Sequence, residues 1–269
     1  MSVAQAQRRN PEQVAILSAD LQPRYEPNFA WKGICGLYQS LPALRGFWPC
    51  SSQIVTAQSL YLPDIANNYH CAAASVPLWG YDDLIPYVEF DGENDAFYYG
   101  DNAQFDITGT ETTVVAAQRG LTLGAWVKSD ALGGCAFLGK YNHPTDQRSY
   151  LLYDTGSNLT FTISAAGDAA ITSASSALLI QVGVWHLMIG RFVPSTSVDV
   201  YLDNVKTTNS TAVPASIFNS TAEFNIGALN NHTTYWFDGK ISMAFICAAA
   251  LSDSIIGAIW QQTRAMYGR

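Results

Sequence analysis

Between Gly120 and Lys128 the chain alternates without a break, with Leu121, Leu123, Ala125 and Val127 on one side and Thr122, Gly124, Trp126 and Lys128 on the other. A side-chain period of two is the geometry of a β-strand with one face in a core. Upstream, Val88-Glu89-Phe90-Asp91-Gly92 reads as a second strand that ends in an Asp-Gly turn and restarts towards Phe97. Gly after Asp supplies the positive φ that a tight reversal needs. Further strands are expected at 149–153 and 159–164, flanking a five-residue loop centred on Gly156, and at 184–192, which is apolar on both faces and therefore central. Strands at 198–202, turning at Asp203-Asn204, and at 224–229 and 241–247 complete the set. About ten strands with no helical pattern between them specify a β-sandwich.

The two ends differ from this middle. Residues 1–40 are Gln-rich at first, and Pro23 and Pro27 bar a continuous helix through the 22–33 stretch. Between Asn10 and Asp20 a short helix is expected, capped by Asn10 with Pro11 in its first turn. The segment has too few apolar residues to fold alone, so it is read as an arm that packs along its own sandwich or docks on a partner subunit. At the other end Ser252 caps a short helix whose Ile255, Ile256, Ile259 and Trp260 form an apolar stripe facing the sandwich. Residues 79–86 read as a loop around Asp82-Asp83, residues 100–120 as a long polar excursion of the kind that carries binding functions, and Phe237-Asp238-Gly239 as another turn.

Charge narrows the partners. The chain has 14 Lys and Arg against 22 Asp and Glu, a net charge of −8, which argues against nucleic acid. No stretch approaches the roughly 18 apolar residues of a membrane span, and the first ten residues hold no apolar export signal. The five cysteines, Cys35, Cys50, Cys71, Cys135 and Cys247, have no Cys-x-x-Cys spacing and are expected reduced and mostly buried. Sequons at Asn158, Asn209, Asn219 and Asn231 are read as Asn- and Thr-rich turns. His70, His143, His186 and His232 form no metal-binding pair, His186 being read as a sheet-face residue, and no nucleophile elbow or phosphate loop is present.

The segments FDGENDAF, GLTLGAWVK, FLGKY, SYLLY, GVWHLMIGRF, VDVYLDN, FNIGAL and YWFDGKISMAFICAAALSD resemble the laminin G-like jelly roll of the concanavalin A-like lectin/glucanase superfamily, over about residues 41–269. The resemblance implies an all-β jelly roll of two antiparallel sheets, with 1–40 as an anchoring arm and a short C-terminal helix. Residues 41–49, holding Leu44, Gly46, Trp48 and Pro49, are similar to the family's opening strand, which Pro49 confines to an edge or terminus of the sheet. LPALRGFWPCSS, LIPYVEFDGENDAFYYGDNAQFDITGTET and QRGLTLGAWVK are similar to laminin G-like proteins of tailed phages. This implies a non-enzymatic structural protein on the virion surface, decorating capsid or tail, held to other virion proteins through residues 1–40 and oligomeric. The alternative is a free carbohydrate-binding lectin.

Three constellations follow. Glu89, Asp91 and Glu93 stand at alternate positions, the spacing of superfamily glucanases, but the Asp91-Gly92 turn takes Glu93 out of the strand, so a glycoside hydrolase ranks last. Relatives bind calcium through Asp and Asn side chains, which here implies Asp64, Asp91, Asn94 and Asp95, although the Gly-x-Ile-Asp of their closing strand reads Gly239-Lys240-Ile241-Ser242. Loop-adjacent Trp79, Tyr98, Tyr99, Tyr235 and Trp236 are the candidates for stacking on a glycan.

Overall fold

A computed structural model describes residues 29–51, 60–82 and 85–269; the helix expected within 10–20 and Asp83 lie outside these. Among the described residues the chain runs α1 (Phe29–Gln39), β1 (Leu44–Trp48), β2 (Tyr61–Leu62), β3 (Cys71–Ala73), β4 (Leu78–Asp82), β5 (Ile85–Asp91), β6 (Phe97–Tyr99), β7 (Leu121–Ser129) and β8 (Ala136–Asn142). It continues through β9 (Gln147–Asp154), β10 (Asn158–Ser164), β11 (Ile171–Leu179), β12 (Trp185–Val193), β13 (Ser197–Leu202), β14 (Val205–Asn209), β15 (Phe224–Ile226), β16 (Asp238–Cys247) and α2 (Asp253–Thr263). All strand pairs are antiparallel and form two sheets. Sheet A has the order β14-β13-β12-β7-β16-β5-β4, with β1 also on β16, and sheet B the order β11-β10-β9-β8-β15-β6-β3-β2.

The alternation of β7 sorts its side chains as the sequence requires. Leu121, Leu123, Ala125 and Val127 enter the core between the sheets, where Phe97, Phe137, Phe161 and Phe224 of sheet B meet them. Trp126 faces the opposite way and is nonetheless fully buried, because a second apolar layer covers the outer face of sheet A. That layer comes from Ile34 and Tyr38 of α1, Ile256 and Ile259 of α2, and Tyr267 beyond it. The middle of sheet A is therefore covered on both faces, which explains why β12 is buried along nearly all its length.

Three local features depart from the sequence reading. Residues 79–82 and 85–86 are strand where a loop was expected: β4 pairs with β5 from Leu78↔Glu89 to Asp82↔Ile85, and a Cβ at Gly80 would stand 2.5 Å from the Tyr87 hydroxyl and 2.6 Å from its ring. Asp238-Gly239 is no turn but the start of β16, with Asp238 opposite Asp91. Phe29–Gln39 is helical, since both prolines precede it and its Ile34 and Tyr38 find a sheet to cover. The first Phe-Asp-Gly does turn: β5 ends at Asp91, Gly92 adopts φ +72°, and the chain crosses to β6 in sheet B. Residues 100–120 are irregular apart from one 3-10 turn at Ala116–Gln118, yet Phe105, Ile107 and Val114 are buried and Asp101 and Asp106 pair with the buried Lys140 at 2.6 and 3.2 Å. The excursion is tied down onto the sandwich.

Candidate functional site

With sheet A covered, the outer face of sheet B is the open one, and it carries a cleft of about 360 Å³, within the size range of small-ligand sites. Its floor is Ala136, Tyr141 and Leu151 with Leu229, all buried, and Tyr153 half-buried beside them. The register of β8 against β9 shifts twice, the second time between Lys140↔Tyr150 and Tyr141↔Arg148, so that Ser149 is an extra residue in β9. Such a bulge re-aims its neighbours. Tyr150 and Leu152 enter the inter-sheet core, while Arg148, Leu151 and Tyr153 all line the cleft.

One wall is the segment from Leu229 to Tyr235. Asn230, Asn231, His232 and Tyr235 have φ of +54°, +56°, +51° and +57°, a left-handed region that only local hydrogen bonding makes affordable for residues with a Cβ. Asn230 supplies that bonding: its Oδ1 accepts from the His143 amide at 2.9 Å, and its Nδ2 donates to Thr234 Oγ1 at 2.8 Å. The result sets Tyr235 at the rim, 48% exposed, with its ring edge-on to His143 at 5.9 Å. Arg148 donates through Nη1 to Asp146 Oδ1 at 2.7 Å and through Nη2 to the His143 carbonyl at 3.1 Å. Burial raises the Tyr141 hydroxyl above its ordinary pKa, against the opposing pull of Arg148, and burial alone raises Tyr153. Both phenols stay neutral donors. Asp154 also borders the cleft but is spent internally, Oδ1 accepting from the amides of Gly134, Cys135 and Gly156, and Oδ2 from the Cys135 thiol.

Of the five aromatics singled out by sequence, Tyr235 alone lines this cleft. Tyr98 projects from the same sheet and stacks on His232 at 4.1 Å, with His232 bonded to Glu223. Trp79 and Tyr99 pack edge-on against Phe97 and Phe105 at the margin of the core, and Trp236 is half-buried. Arg148, Tyr141 and Tyr153 carried no sequence signal beyond their place in a strand, because the bulge that gathers them shows only in the pairing.

The carboxylates named for calcium hold backbone amides. Asp64 is buried, and its carboxylate accepts four backbone amides: Phe47 at 2.9 Å and Ala66 at 2.8 Å on Oδ1, Asn67 at 3.1 Å and Tyr69 at 3.0 Å on Oδ2. It pins the turn after β2 to β1. Asp91 Oδ1 accepts from the amides of Glu93 and Asn94, and Asp95 Oδ2 from that of Asp91, so these residues build the turn they sit in. Ser242 donates to the Pro86 carbonyl at 2.7 Å and meets the Tyr267 hydroxyl at 2.8 Å. Among the described residues no three His, Cys, Asp or Glu side chains lie together as metal ligands.

Of the three carboxylates at alternate positions, Glu93 is parted from the other two. Glu89 and Asp91 lie on the outer side of β5 and Glu93 lies beyond the Gly92 turn. Glu89 stands opposite Lys240 in the register, which in turn stands opposite Lys128. The buried His186 is likewise committed: Nδ1 meets Asp203 Oδ2 at 2.6 Å and Nε2 accepts from the Gln181 amide, leaving no ring nitrogen for a nucleophile.

Comparison with known proteins agrees with this architecture. Domain 4 of AbnA, an extracellular arabinanase of Geobacillus stearothermophilus solved in complex with arabinotriose, superposes with a TM-score of 0.58 at 15% identity, over 81% of this chain and 98% of that one. The binding domain of Paraclostridial Mosquitocidal Protein 1 gives 0.62 at 10% identity over 81% of this chain, and that of Botulinum Neurotoxin DC in complex with SialylT gives 0.57 at 9% over 81%. The present chain spans about half of each toxin domain, 52% and 51%. No curated protein matches by sequence. The laminin G-like profile matches residues 99–257, more than half of the chain. The chain belongs to the concanavalin A-like lectin/glucanases superfamily, as a lectin-like jelly roll.

Proposed function

We propose that this protein is a non-enzymatic carbohydrate-binding domain whose site is the cleft on sheet B. The observation that carries the reading is the placement of Tyr235, a largely exposed ring held in a left-handed backbone above a cleft that also presents the Tyr141 and Tyr153 rings. An apolar ring face with phenolic and guanidinium donors around it suits a sugar, whose C–H face stacks on an aromatic while its hydroxyls bond to the rim. The arabinotriose and SialylT complexes of similarly folded domains support this choice of ligand class. Glycan-array screening of the purified protein, followed by calorimetric titration of the hits, tests it. Tyr235→Ala is expected to weaken binding by at least about tenfold without altering the fold, and an array with no specific signal would overturn the reading.

The setting we propose is the surface of a virion, with residues 1–40 as the attachment. It rests on the resemblance of the 41–52, 84–112 and 118–128 segments to phage proteins. Mass spectrometry of size-fractionated native source tests it: travel with megadalton particles supports the setting, and travel as a free protein removes it.

A further inference from the structure

We infer that the cleft selects a sugar bearing a carboxylate, a deduction that rests on the carbohydrate-binding reading above. Arg148 is the one Lys or Arg among the residues lining the cleft, and its side chain is 12% exposed, so its charge is felt in a partly desolvated place where Coulombic attraction is weakly screened. Its partners leave room for a ligand. Asp146, bonded to Nη1, is 70% exposed and can be exchanged for another carboxylate, whereas the His143 carbonyl on Nη2 fixes the direction of the guanidinium plane. A planar guanidinium held in one orientation is suited to bidentate capture of a carboxylate.

The other acid lining the cleft, Asp154, is buried and its carboxylate is offset by the amide dipoles of Gly133, Cys135 and Gly156 that donate to it. The phenols of Tyr141 and Tyr153, both kept protonated by burial, add donors and no negative charge. With a net charge of −8 the protein repels anions as a whole, so selectivity for an acidic sugar has to come from a local cation of this kind. Sialylated and uronate-containing glycans share the required chemistry.

The test compares each acidic sugar with its own neutral counterpart on the wild-type protein. Sialyllactose and a glucuronate-containing tetrasaccharide are titrated calorimetrically beside the same molecules with the carboxyl reduced to an alcohol. A preference of about tenfold or more for at least one acid form, shrinking as salt is raised and abolished by Arg148→Gln, is the expected result. Whichever of the two pairs shows it identifies the source of the carboxylate. Equal binding of acid and reduced forms overturns this inference and leaves the carbohydrate-binding reading standing. No binding of any saccharide on the array overturns both. The reduced ligands keep the comparison decisive if Arg148→Gln fails to fold.

Discussion

The indole of Trp126 lies flat against the ring of Tyr267, 4.0 Å between centroids and 2° from parallel. One ring comes from the middle of β7 and the other from the third-last residue of the chain. The Trp126 indole donates to Thr263 Oγ1 at 3.1 Å, and the Tyr267 hydroxyl meets Ser242 on the neighbouring strand. Removing the ring leaves a void between sheet and helix. Tyr267→Ala is expected to cost about 3 kcal/mol, and Tyr267→Phe, which loses only the hydrogen bond, about 1 kcal/mol. Urea denaturation of the two variants beside wild type measures both; equal losses would mean that the stack contributes nothing.

The start of α2 is held by charge. Asp253 accepts from Arg191 Nη1 at 2.7 Å, from the Tyr201 hydroxyl at 2.8 Å and from Lys206 at 3.2 Å. Burial pushes its pKa up, but the hydrogen bonds from Tyr201, Arg191 and Lys206 outweigh this and bring it from 3.8 to about 2. A carboxyl whose folded pKa is depressed stabilises the fold above its unfolded value and stops doing so as pH falls through the folded one. The contribution is therefore present above pH 3.8 and lost towards about pH 2. With the side chain 62% exposed, solvent screening keeps it below about 1 kcal/mol. Asp253→Asn should flatten this part of the acid limb of a stability-versus-pH curve, and an unchanged limb would contradict the assignment.

Asp64 gathers four backbone amides on one carboxylate. Asp64→Ala strips the acceptor from four amides, two of which belong to Phe47 and Tyr69 beside the core. A loss of at least about 3 kcal/mol is expected. Because the carboxylate is already saturated, millimolar calcium or a chelator should move the thermal midpoint by less than about 1 °C, as differential scanning fluorimetry would show.

Tyr235 places strain and recognition on one residue. Glycine carries no penalty at φ +57°, so Tyr235→Gly should hold or raise the stability by about 1 kcal/mol while removing the ring proposed above to stack on a sugar. A melt paired with a glycan titration checks the two signs together; loss of stability would show that the ring acts as core rather than as rim.

Which of these features could be read from the sequence follows from how local each one is. The β7 alternation, the two-faced β12, the Asp203-Asn204 turn with φ of +51° and +67°, and the Ser252 cap on the Ile255 amide are set by neighbouring residues, and all were legible. The strand β11 was not, because Ile-Thr-Ser-Ala-Ser-Ser-Ala-Leu-Leu at a sheet edge has neither turn residues nor a large apolar period. The helix α1 was not, because its apolar face is meaningful only once sheet A lies beneath it. The cleft draws on β8, β9 and the 229–235 segment, joined by a register shift that no single stretch encodes, and so only Tyr235 was anticipated. The four sequon asparagines were read as turn residues, but Asn158 opens β10 and Asn209 ends β14, both donating to carbonyls of β11, while Asn231 accepts from the Glu223 amide and Asn219 reaches Asp106.

The two helices lie side by side on sheet A, and Arg269 reaches back to Asp203 at the end of the β13–β14 hairpin in that same sheet. Both the entry at Phe29 and the final residue thus leave from the side remote from the cleft. A carrier joined at Arg269 would meet the helix-covered side of sheet A, leaving the cleft of sheet B to face away from it.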